Sequence, residues 1–427
     1  MRLKSIKLAR RIGSGTVVLS AILIALLILL GLGDLIGWDP TWRTFGVTPL
    51  EPHFFDMHAV TDHVDCALKG FDPYILTSCD PRTPFNYPPV WLLLGRLGIN
   101  GSDSVWLSAV MIATAFAVIV AVFSGRPVGD GVIFSIAILS PSILMGVERG
   151  NIDFSILALV GASALIFSEQ KAARAVLAAV LVGLATVLKL YPVFCVALAV
   201  RLNWRSLLFA TIVAAVALAY VATISDYIPI IRQNTPTSFM LSYGYKVLFL
   251  GLDHLRAEGK LLPIGLVDTL LPTVLAIMTV ILAVTTAVAY SRHGSLVCRV
   301  ADSIGGTAFL FGAGIYCGSY LLGTNFIYRL MFLLLCLPQL RDWARGGFES
   351  DNRTLRSADV LVAAILFALW MNGNSNGHTT FVLVPQLANW LIFFGLTTIL
   401  VLNFLNNARG HRQAKNQHDA SERLNKD

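Results

Sequence analysis

Apolar runs of about 20 residues recur from near the start of the chain to near its end, and they constrain the fold more than any other feature. One such run can be a buried core helix. A series of them, separated by short polar turns, is the pattern of a polytopic membrane protein, because a bilayer leaves backbone groups to be satisfied inside helices. Only 13% of the 427 residues are charged, against about 25% in soluble domains, and the mean hydropathy is +0.71. A net charge of +7 would fit a nucleic-acid binder. Here the basic residues lie in short clusters between apolar runs, which is the positive-inside pattern.

The expected fold is all-α, with about twelve membrane spans in one domain over 1–404. Arg2, Lys4, Lys7, Arg10 and Arg11 precede the first helix, 14–36, and place its start in the cytoplasm. No convincing small-x-small cleavage site follows it and further apolar runs do, so it reads as an uncleaved helix and not as a signal peptide. The loop 34–87 carries eight Asp or Glu against three Lys or Arg and belongs outside. From Pro88 to Gly98 the chain is apolar but too short to span, and reads as an interfacial helix anchored by Trp91. Further spans are expected at 104–123, 131–146, 154–168, 206–224, 264–290, 304–322, 327–340, 358–371 and 381–404, with a second outer loop at 225–262. The stretch 175–200 has basic residues on both flanks and Lys189-Leu-Tyr-Pro192 in its middle. One span cannot keep both ends inside, and proline breaks a helix, so two half-spans meeting near Lys189 are expected. The basic tail 405–427 reads by composition as disordered and cytoplasmic, as is the N-terminus.

The stretch Phe54–Trp91 concentrates the polar chemistry, with five Asp, two His and two Cys. The loop-charge topology puts Asp56, Glu148, Arg149, Lys189, Tyr328 and Arg329 on the same outer side. Charges beside spans tend to face cavities and mark function. Plain structural readings stand beside this one. Asp56 is one carboxylate of an acidic loop, Lys189 can pair with Glu148, Arg149 and Arg329 can fasten spans, and Asp153 can cap a helix. His53, His58 and His63 recur every five residues, a spacing that matches no helix or strand metal site. No metal or cofactor is therefore expected. Cys66 and Cys79 share the first loop and can pair if it lies outside. No P-loop, GxSxG or HExxH occurs.

Several of these residues, taken in order, resemble glycosyltransferase family 87. Asp56, Gly70, Asp72-Pro73-Tyr74 and Phe85-Asn86-Tyr87-Pro88-Pro89 are similar to that family's first outer loop. Arg149-Gly150-Asn151, Lys189-Leu-Tyr-Pro192 and Tyr328-Arg329-Leu330 are similar to its later motifs. Val60 is a departure, since the family often has an aromatic there. The resemblance implies a GT-C-type membrane enzyme that needs no metal. Its donor is a hexose or pentose, mannose-like, on a polyprenyl phosphate, and its acceptor is a glycolipid or glycan at the extracytoplasmic face of the plasma membrane. It implies Asp56 as general base, Lys189, Arg149 and Arg329 as donor-phosphate ligands, and Tyr74, Asn86, Tyr87, Glu148, Asn151 and Tyr328 as substrate contacts. A broken span with an inward lysine also fits a transporter or flippase of lipid-linked sugars, and a non-catalytic membrane subunit is the third reading.

Overall fold

The computed structural model describes residues 13–76, 79, 82–167, 171–257, 270–293, 299–346, 352–372 and 379–424. The basic residues at 2–11 therefore lie outside the described residues, as does the junction 258–269. The chain is almost wholly helical. Helix α1 (Ser14–Ile36) is followed by α2 (Trp38–Thr44) and α3 (Phe55–Leu68). A 3-10 helix, Pro89–Leu97, leads into α4 (Ser104–Val122). Next come α5 (Val128–Ile138), α6 (Pro141–Glu148), α7 (Asp153–Phe167) and α8 (Ala172–Leu188). A second 3-10 helix, Tyr191–Arg201, precedes α9 (Trp204–Thr223), α10 (Tyr227–Asn234) and α11 (Val247–Ala257). Helices α12 (Leu270–His293) and α13 (Ile304–Leu321), a third 3-10 helix (Ile327–Cys336), α14 (Leu337–Ala344), α15 (Asn352–Met371) and α16 (Thr379–Leu424) complete the chain. Among the described residues the strands form one short ribbon. In it β1 (Ser242–Tyr243) runs antiparallel to β2 (Asn325–Phe326) and joins the segment after α10 to the segment before Arg329.

The all-α membrane fold holds. By length and apolarity, five helical stretches among the described residues can each cross a bilayer: Gly101–Val122, Trp204–Thr223, Leu270–Arg292, Ile304–Leu321 and Leu383–Gln413. The pair α5–α6, bent by 58°, makes a sixth. This is fewer than the twelve expected, and the reason is local. Several expected spans are broken into shorter apolar helices. Pro141 starts α6 after a break at Leu139-Ser140, and Pro192 sits at the start of the helix after Lys189. Proline removes an amide donor and restricts the residue before it, so each acts as a helix boundary. In the other direction, α16 runs unbroken through the polar tail to Leu424. The tail is rich in Asn, Gln, Lys and Arg, which composition alone reads as disorder. Extending an existing helix avoids the nucleation cost that an isolated segment meets.

Trp91 differs from its expected role. It is buried, and its indole N–H donates to the Leu188 carbonyl at 2.9 Å. That carbonyl is one of those left without a partner where α8 stops. The 3-10 helix at Pro89 turns its tryptophan into the protein and leaves Leu93 and Leu97 exposed.

Helix α13 forms the centre of the bundle, and its residues from Gly305 to Cys317 are all buried. Small residues let neighbours approach closely, which is how helices associate where lipid and side chain are equally apolar. A Cβ at Gly318 would lie 2.1 Å from the Phe194 ring. The chain's turns gather at two ends. At one, Asn234 of α10 donates to the carbonyls of Tyr74 and Phe85, both at 2.9 Å. At the other, Arg126 meets Asp342, Arg341 donates to the buried Asp130 at 3.0 Å, and Asn407 donates to Val200.

Candidate active site

The site is built where α6 ends and α7 begins. Gly150 has φ +58°, its N–H donates to Val147, and the Asn151 N–H donates to Gly146. These two bonds around a left-handed residue make a Schellman cap. A Cβ at position 150 would lie 2.3 Å from Ser108 Oγ and 2.9 Å from Phe54 Cβ. Glycine is needed here both for the backbone conformation and for the space. The cap leaves the Arg149 carbonyl pointing at the start of α3, where it accepts the Asp56 N–H at 2.9 Å.

Asp56 itself stands in the first turn of α3, after Phe54 in the left-handed conformation. Asn151 links it to α7. Its Nδ2 donates to Asp56 Oδ2 at 2.5 Å, while its Oδ1 accepts the Asp153 N–H at 2.9 Å. Burial pushes the Asp56 carboxyl above its ordinary range, and the nearby Asp153 adds to this. Arg149, the Asn151 hydrogen bond and Lys189 pull the other way without cancelling it.

The two lower cations converge on Asp153. Lys189 Nζ lies 2.5 Å from Asp153 Oδ1, and Arg329 Nε lies 3.4 Å from Oδ2. Lys189 ends α8 in an extended conformation, so the helix break directs it to this carboxylate and not to Glu148. Arg329 also donates to Asn325 Oδ1 and stacks over the Tyr191 ring, 4.3 Å from its centroid. Asp153 is fully buried, and such a charge persists only when paired. Arg149 is buried as well, and its Nε has no hydrogen-bond partner among the described residues.

Tyr87 forms one wall. Lys189 Nζ lies 5.3 Å from its ring centroid. Burial, then the negative charges of Asp56 and Asp153, push its hydroxyl well above the usual range. Tyr328 lies beside the same residues and packs on Phe326. Tyr74 sits one layer back. Its hydroxyl donates to the Tyr87 carbonyl at 3.0 Å, and its ring packs on Phe85 and Tyr227. Asn86 is partly exposed between two buried aromatics. Glu148 turns towards the first loop, where Oε1 accepts the Leu50 N–H at 3.0 Å and the Trp38 indole at 3.5 Å.

Three other carboxylates of the loop are occupied elsewhere. Asp62 binds His58 and Arg82, Asp65 accepts the Gly101 N–H, and Asp72 accepts the Tyr74 N–H. His53 stacks on Trp38, and His63 bridges the Ala59 and Thr83 carbonyls. Cys66 and Cys79 form a disulfide. Val60, the departure from the family pattern, is fully buried in the core.

Asp153, which by position reads as a helix cap, gathers two cations, and Tyr191 of the Lys189-Leu-Tyr-Pro192 motif and Asn325 join the site through Arg329. The position of Asp153, two residues after Asn151 and opposite a broken-helix lysine, was the available signal. Nothing in the sequence could have indicated Asn325, which reaches the site through the ribbon pairing.

Residues 85–313, just over half of the chain, match glycosyltransferase family 87. The bundle is thus a membrane-embedded glycosyltransferase, and the chain belongs to that family. The match includes Asn86, Tyr87, Glu148, Arg149, Asn151 and Lys189, while Asp56, Tyr74, Tyr328 and Arg329 lie outside it. No significant match was found among curated proteins or solved structures.

Proposed function

We propose that this chain transfers a mannose-like hexose or a pentose from a polyprenyl-phosphate donor to a glycolipid or glycan acceptor, with inversion at the anomeric carbon. The observation that carries the reading is a carboxylate, Asp56, with Arg149 and Lys189 beside it, tied through Asn151 to Asp153, which holds Lys189 and Arg329. Asp56 takes the proton of the acceptor hydroxyl as its oxygen forms the new bond to the anomeric carbon. The bond from that carbon to the phosphate oxygen breaks on the opposite face, and the electron pair leaves with the lipid phosphate. A phosphate is already a good anionic leaving group, so a strong general acid is not needed. Arg149, with a free buried donor, and Lys189 and Arg329, positioned by Asp153, stabilise the charge on it. Asn151 orients the base. Tyr87, Tyr328, Asn86, Tyr74 and Glu148 shape the sugar pocket and its rim.

The five long apolar helices, the bent α5–α6 pair and five shorter apolar helices among the described residues support about twelve traversals, several of them by broken helices. The acidic first loop and the basic turns at the other end support an extracytoplasmic site in the plasma membrane, with both termini inside. The test offers labelled polyprenyl-phosphate sugars and native glycolipids to the protein in liposomes, wild type against Asp56→Asn. Transfer of one sugar by wild type alone is expected. Transfer of none by wild type, or full transfer by the variant, overturns the assignment.

A further inference from the structure

The end of the molecule opposite Asp56 contains a cavity of about 780 Å3, lined by Arg126, Arg201 and Arg299 from three different segments. Helix α4 runs from the α3 side of the molecule to this cavity, ~28 Å away at 1.5 Å per residue. It is therefore separate from the site built on Asp56. The N-terminus of α13, from Ser303 to Gly305, forms one wall, and Asn203 and Asn407 contribute to the lining.

The hydrogen-bonding groups left over in this lining are mainly donors. Its two carboxylates are already engaged: Asp342 by Arg126, and Asp302 by Arg201 at 3.3 Å. The Arg201 side chain is only 7% exposed, and its Nε has no partner. Arg299 has no side-chain partner among the described residues. Asn203 uses its oxygen to cap α9, accepting from Ser206, which leaves its amide hydrogens. The Ser303 Oγ accepts the Gly306 N–H, which leaves its own proton to give. A helix start adds a positive dipole end. The buried unpaired Nε of Arg201 is independent of that dipole.

We propose that this cavity binds a phosphorylated ligand, with Arg299 and Arg201 as its charged contacts and the α13 N-terminus, Ser303 and Asn203 as neutral donors. A cavity of this size holds more than a bare phosphate, so the group is carried on a polar body such as a lipid headgroup or a soluble phosphate ester. The shared chemistry is the tetrahedral oxyanion, which accepts hydrogen bonds and offers none.

The full-length protein in neutral detergent tests this by thermal unfolding. One arm titrates inorganic pyrophosphate. The other titrates dihexanoyl phosphatidylglycerol against dihexanoyl phosphatidylcholine. The expected result is stabilisation of wild type by one of the anionic probes, with pyrophosphate identifying a soluble source and phosphatidylglycerol a lipid one. Arg299→Gln should weaken that binding roughly tenfold or more, and Arg299→Glu should abolish it. Arg299 is exposed, so both variants should melt like wild type without ligand. A wild type that responds to neither anion, or an Arg299→Gln variant of unchanged affinity, overturns the proposal.

Discussion

Asn151 ties Asp56 to the start of α7, donating from Nδ2 to Oδ2 at 2.5 Å while its own oxygen receives the Asp153 N–H. One side chain therefore fixes both the proposed base and the carboxylate that gathers the cations. Replacing it by Ala should cut the transfer rate about 10- to 100-fold, the effect of losing a charge-assisted hydrogen bond of ~1.5–3 kcal/mol. Asp56→Asn should go further, by about 10²–10⁴-fold, without a lower melting temperature. A variant of Asn151 as active as wild type would falsify the positioning role.

The pH profile follows from the same contacts. Burial raises the Asp56 carboxyl, so the neutral form persists to higher pH than in an ordinary aspartate. A general base must be ionised, so kcat/KM should fall as pH drops through this raised value, and the acid limb should lie above that of a solvated aspartate. The Asn151 hydrogen bond favours the ionised form. Removing it should move the acid limb to still higher pH. Rates of Asn151→Ala and wild type measured across pH check the sign, and a limb that moves down sinks the account.

Asp153 holds Lys189 and Arg329 together in a site where all three are largely buried. Asp153→Ala leaves two unpaired cations, and breaking a buried ion pair from one side costs about 3–5 kcal/mol. Lys189→Met in the same chain removes one stranded charge and should restore part of the melting temperature but no transfer. Additive losses in the double variant would show that the two groups act independently.

Much of this was legible in the sequence. The break at Lys189 followed from its basic flanks and Pro192, and the gathering of Asp56, Arg149, Lys189 and Arg329 at one end followed from loop charge. Helix α3 is also legible, although the composition of its stretch is that of a polar loop. Met57, Val60, Val64 and Leu68 repeat at helical spacing, and the acidic residues between them masked it. Trp91 was misplaced because its partner, the Leu188 carbonyl, exists only once α8 has ended. The role of Asp153 was hidden for a similar reason: a carboxylate at a helix start looks like a cap until the cations of two distant segments are brought to it.

The first loop carries a disulfide between Cys66, near the end of α3, and Cys79. Disulfides persist in oxidising compartments, so the bond supports the proposed outward placement of the loop. With six cysteines and two in the bond, 6 − 2 leaves at most four thiols. A denatured sample from intact membranes should take up no more than four maleimides before reduction and all six after it. Six before reduction would place the loop in a reducing compartment.

Gly150 gives the sharpest test of how the site is built. An alanine there must adopt φ near +58°, which costs roughly 1–2 kcal/mol for an L-residue. Its Cβ would also lie 2.3 Å from Ser108 Oγ and 2.9 Å from Ser108 Cβ. The cap must then open, and the Arg149 carbonyl, which fixes the Asp56 N–H, moves with it. Gly150→Ala should lower both the melting temperature and the transfer rate. Adding Ser108→Gly removes both Ser108 contacts, at the expense of ~1 kcal/mol of helix propensity in α4. The Phe54 contact at 2.9 Å and the left-handed strain remain. Transfer in the double variant should therefore exceed that of Gly150→Ala while its melting temperature stays below wild type. If Ser108→Gly restores no activity, the distance from the cap to the base is not what Gly150 protects.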